Sequence, residues 1–103
     1  MLTFIVLGTY TDKGRRAIAD SPHRLDVARA VLAKLGGTLQ DFYLTMGQFD
    51  FIARLEASDD EVVARYLLAV EAEGHVKTIT LRAFPEAEYR RIIQGQTGQT
   101  GAN

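Results

Sequence analysis

The 103-residue chain carries 12 basic and 13 acidic side chains, a net charge of −1, with 47% of residues apolar and 24% charged. That balance fits one globular domain and lacks the basic excess and aromatic–basic interleaving of a nucleic-acid binder. Cysteine is absent, which excludes disulfides, thiolate metal sites and a cysteine nucleophile.

Residues 3–10 form a compact run of Phe, Ile, Val and Leu, too short for a stable helix, and read as a buried strand and not a signal peptide. No run approaches the roughly 20 apolar residues that span a bilayer. The expectation is a cytoplasmic protein without membrane contact. Residues 11–20 are a charged connector around Gly14 with room for one helical turn. Ser21 and Pro22 then suit the cap and first turn of a helix. Leu25, Ala28, Leu32 and Leu35 recur at helical spacing, and Gly36-Gly37 closes it.

Residues 38–46 and 49–56 are strand-like and flank Gly47-Gln48. A glycine-first two-residue link is the chemistry of a type II′ hairpin turn, so the two strands are expected to be antiparallel neighbours. Ser58 and Glu61 have the spacing of a capping box. Val62, Val63, Tyr66, Leu67 and Val70 make the buried face of a second helix that Gly74 ends. Residues 75–84 read as a fourth strand and 85–93 as a short helix opened by Pro85. Residues 94–103 are rich in Gln, Gly and Thr and are expected to be a disordered tail, which leaves residues 1–93 as the single domain.

The order β-α-β-β-α-β predicts an α+β, ferredoxin-like fold: a four-stranded antiparallel sheet in the order 4-1-3-2, two helices on one face, and a short C-terminal helix. Alternation assigns Phe49, Phe51, Ala53 and Leu55, Phe42, Leu44 and Met46, and Ile79, Leu81 and Ala83 to the helix side. Tyr43, Thr45, Asp50, Ile52, Arg54, Thr78, Thr80 and Arg82 are left on the open side. The first strand is apolar on both sides, with Phe4 and Val6 against Ile5 and Leu7. A central strand of that kind implies cover on both faces, and the chain has helices for only one. A homo-oligomer paired through the open sheet face follows as the expectation.

Thr45-Met46-Gly47-Gln48-Phe49-Asp50 resembles the signature of the GYD domain family, named for a glycine–tyrosine–aspartate motif, with Phe49 where tyrosine is usual. Phe4-Ile5-Val6-Leu7-Gly8, Thr11-Asp12-Lys13-Gly14, Asp20-Ser21-Pro22 with Arg24, and Thr80-Leu81-Arg82-Ala83-Phe84 agree in order. The resemblance covers residues 4–93. It implies a design similar to dimeric α/β-barrel proteins, whose ferredoxin-like domains pair through their sheets, and no established reaction.

Asp50 is the sharpest candidate for chemistry, because aspartate is disfavoured inside strands and a desolvated carboxylate needs a partner. It reads either as a general base or ligand anchor, or as a structural carboxylate bonded to arginine or backbone amides. In the catalytic reading Tyr43 and Arg82 orient a substrate. Thr45, Arg54 and Thr80 add polar groups for a small polar or anionic ligand, and His23 and Arg24 lie in a helix first turn that attracts anions. The two histidines show no metal-ligand spacing, no glycine-rich phosphate loop is present, and no cofactor is implied. Two functions follow: a homo-oligomeric module with a small-molecule ligand near Asp50, or a cofactor-independent monooxygenase- or isomerase-like enzyme.

Overall fold

A computed structural model describes residues 1–101. Nine elements follow one another: β1 (Leu2–Tyr10), α1 (Asp12–Arg16), a 3-10 turn (Ile18–Asp20), α2 (Ser21–Leu35), β2 (Gly37–Leu44), β3 (Phe51–Ala57), α3 (Asp60–Ala72), β4 (Val76–Ala83) and α4 (Glu86–Gly101). The strands form one sheet in the order β2-β3-β1-β4 with every neighbour antiparallel. This is the expected ferredoxin-like arrangement. Both long crossover helices lie on one side, where Phe4, Val6, Leu32, Leu55, Val63 and Tyr66 form the heart of the core.

The helix ends show what single residues contribute. Gly36 takes a φ of 96°, a left-handed geometry that glycine adopts without a Cβ penalty, and so ends α2 where the sequence placed its end. Ser21 does not cap α2. The 3-10 turn runs directly into the helix, Asp20 holds the cap position without a side-chain bond, and Ser21 is already helical. In α3 the cap is Asp59, not Ser58: the extended Asp59 accepts the Val62 amide through Oδ1 at 3.0 Å. Thr11 caps α1 by accepting from the Gly14 amide, and its Oγ1 donates to the Gly74 carbonyl at 2.6 Å. Gly14 has to be glycine because a Cβ there would lie 2.1 Å from the His75 carbonyl oxygen. α1 therefore presses against the turn that joins α3 to β4.

The hairpin keeps the register of the two-residue link, with Leu44 opposite Phe51 and Tyr43 opposite Ile52. Its ladder stops earlier, however, and residues 45–50 form the connection. Inside it, the Thr45 amide donates to the Asp50 carbonyl at 2.8 Å and Thr45 Oγ1 to the Phe49 carbonyl at 2.6 Å. A bulge between Leu39 and Asp41 lets Leu39 and Phe42 both turn toward the helices. Leu44 and Met46 do not reach the core as alternation predicted. They lie 74% and 98% exposed, on a hairpin tip beyond the helices.

The larger correction concerns β4. Val6 pairs with Thr80 and Phe4 with Arg82, and directly opposed residues share a face. Thr80 and Arg82 therefore lie on the helix side, and Ile79 and Leu81 on the open side, the reverse of the expected assignment. β4 is an edge strand, and its helix-side positions tolerate polar groups: Thr78 Oγ1 donates to the Glu71 carboxylate on α3. α4 runs past residue 93, its first turn held by an Arg90–Glu86 ion pair at 2.7 Å. Ala102 and Asn103, the end of the expected tail, lie outside the described residues. No helix among the described residues is long and apolar enough to cross a membrane.

Candidate functional site

The open sheet face assembles residue by residue from the three registers. Tyr43, Ile52, Leu7 and Ile79 form one row across all four strands, and Asp41, Arg54, Ile5 and Leu81 form the next. The apolar members gather on β1 and β4, where Ile79 and Leu81 are 54% and 47% exposed. Toward β2 the face becomes ionic. Arg54 donates through Nε to Asp41 Oδ2 at 2.7 Å and lies 3.3 Å from Glu56. That hydrogen bond and the two carboxylates hold the Arg54 guanidinium above its ordinary range. The face is thus half aliphatic and half an ion cluster of two carboxylates around one guanidinium. α4 leaves Tyr89, Ile92 and Ile93 about half exposed and adds a second uncovered apolar strip.

Asp50 sits at the end of this face, in the connection and not in a ladder. Its Oδ2 accepts the Tyr10 amide at 2.9 Å, its own amide donates to the Gly8 carbonyl at 2.8 Å, and Arg15 of α1 approaches to 3.8 Å. The carboxylate bonds the backbone amide of the last residue of β1.

The other named residues scatter. Arg82 is on the helix side at the opposite end of β1. Its guanidinium lies 4.3 Å from the Phe84 ring centroid and donates to the Thr3 carbonyl. Gly8 meets Asp50 and Phe4 meets Arg82, so the two are separated along β1 by roughly 13 Å. Tyr43 is exposed on the open face, Thr45 closes the hairpin connection, and Thr80 faces the helices. His23 and Arg24 lie in the first turn of α2, as the sequence placed them, and Arg24 Nη1 donates to the Ala17 carbonyl at 2.9 Å. Among the described residues, no three His, Asp or Glu side chains gather as metal ligands.

Sequence reasoning missed Ile79 and Leu81 on the open face. The signal for this pair was present: strand 1 is apolar on both sides, so each neighbour had to supply apolar residues to both. Only the β1–β4 register decides which ones.

The comparisons agree with this architecture. A family model described as the GYD domain matches residues 4–93. A Thermus thermophilus protein called "Glutamine synthetase and cystathionine beta-lyase binding protein" is 38% identical over 89 residues, 85% of this chain and 94% of its own length. Among solved structures, a feast or famine regulatory protein of M. tuberculosis complexed with L-methionine superposes with a TM-score of 0.62 at 15% identity, covering 82% of this chain and 50% of that one. A leucine response regulatory protein of Mycobacterium tuberculosis does so at 0.59 and 15%, over 81% and 50%. This chain spans about half the length of those regulators, and such likeness speaks for the fold alone.

Proposed function

The chain belongs to the GYD domain family, and on that premise we propose that it is a protein-binding module that works as a homodimer joined through its open sheet face. One observation carries the reading: Leu7, Ile5, Ile79, Leu81 and Ile52 adjoin in one aliphatic patch, in which Ile79 and Leu81 are about half exposed and the others part-buried. A second copy is the occupant that suits this patch. Four strands at about 4.8 Å spacing and eight residues at about 3.3 Å give a planar area of about 500 Å² per copy. Two such faces reach the roughly 1,000 Å² that a specific interface needs. The Asp41–Arg54–Glu56 cluster sets two carboxylates against one guanidinium at the β2 side of the face, away from the aliphatic residues of β1 and β4.

The Thermus relative's name supports an enzyme as the further partner, one of amino-acid metabolism. Sedimentation of the wild type and Ile79→Asp tests the dimer. Wild type should run at twice 11.4 kDa, and the variant, whose side chain is half exposed in one copy, at the single mass with unchanged circular dichroism. A wild-type monomer at micromolar concentration would overturn the dimer. Binding of the wild type to purified glutamine synthetase and cystathionine beta-lyase tests the partner, and no complex with either enzyme would overturn that part.

A further inference from the structure

On the other side of the sheet, α2 and α3 stand apart far enough to leave a cleft of about 550 Å³ above the strands. That volume is in the range of small-molecule sites. Its wall is mostly aliphatic, with Val31, Leu67 and Val70 among its lining. Its polar groups gather at one end, where β1 finishes and β4 begins. There Ser21 Oγ lies 3.4 Å from the Tyr10 hydroxyl, and Arg24 and His75 join the lining.

Two polar atoms at this end are buried without a partner: Arg24 Nη2 and His75 Nδ1. Buried polar groups are nearly always bonded, and a missing bond asks for an explanation. Arg24 Nη1 already holds the Ala17 carbonyl, which fixes the guanidinium and leaves Nη2 as the free arm. The acidic neighbours Asp20 and Glu73, also in the lining, are exposed and leave these buried atoms unbonded.

We infer that this cleft is a binding site for a small organic monocarboxylate with an unbranched apolar body, its carboxylate held by Arg24 and His75. Arginine is the side chain best shaped for a carboxylate. From Arg24 to Val31 along α2 is about 10 Å, the reach of a medium-length acyl chain. The site uses the face that dimerisation leaves free and does not depend on the dimer.

Decanoate is the probe, with 1-decanol as its uncharged counterpart, titrated calorimetrically into the full chain. Decanoate should bind, and the alcohol about tenfold more weakly or worse. Arg24→Met should erase that difference, and Ala28→Phe, which fills the cleft, should abolish binding of both. Amide shifts in NMR spectra should fall on Arg24, Val31 and His75. Equal affinity of acid and alcohol for the wild type would overturn the assignment even if Arg24→Met failed to fold. So would absence of binding, or shifts confined to Ile5, Leu7 and Ile79 on the open face.

Discussion

Asp50 joins three pieces of the chain: its carboxylate accepts the Tyr10 amide, its own amide donates to Gly8, and its carbonyl accepts the Thr45 amide. Asp50→Ala leaves the Tyr10 amide without its acceptor and should cost about 1–3 kcal/mol in urea unfolding. Asp50→Asn keeps an acceptor oxygen and should cost less. If Asp50→Ala were instead more stable than wild type, the carboxylate would be retained for something other than the fold. Tyr66 gives the pH counterpart. It is buried, and burial raises its phenol above the ordinary 10.0, with Arg29 opposing the shift. The protonated form is favoured in the folded state, so its contribution is complete below pH 10. Above pH 10.0 the unfolded chain loses its proton first, and stability falls until the folded phenol ionises too. Melting temperatures measured from neutral into this alkaline range should fall less steeply for Tyr66→Phe than for wild type, and parallel curves would contradict the argument.

The elements were legible where the signal is local. Gly36, the Gly47-Gln48 link and the split of charged and apolar residues along α2 and α3 placed both long helices and the β2–β3 register. Caps were less legible, since Ser58 and Asp59 are both good capping residues and the choice depends on backbone direction at the helix entry. The face of β4 was not legible. Its alternation is clear, but Thr78, Thr80 and Arg82 are placed on the helix side by pairing with β1, a contact some seventy residues distant in sequence. For the same reason the candidate residues separate: alternation assigned Asp50 and Arg82 to one face, but Asp50 lies in the connection beyond the ladder and register puts Arg82 on the helix side. The place of Arg24 in the first turn of α2 was legible, whereas that of His75 depended on the close approach of α1 to the α3–β4 turn.

At the scale of the molecule the two sides of the sheet are unequal. One is covered by α2 and α3, while the other offers Ile5, Leu7, Ile52, Ile79 and Leu81 to whatever lies against it. A small domain gains much of its stability from surface removed from water, so covering that face should couple association to folding. For such a dimer the melting midpoint depends on concentration, and each tenfold dilution removes about 1.4 kcal/mol per dimer. That amounts to roughly 0.7 kcal/mol per chain, a fall of roughly 3–6 °C for a domain near 100 residues. Wild type should show this slope across the micromolar range. Ile79→Asp should melt lower and at the same temperature at every concentration, because a carboxylate within the patch would have to be buried unpaired in the dimer. A wild-type midpoint indifferent to dilution, with both proteins melting together, would mean that the aliphatic patch stays in water, and the open face would then have no part in assembly.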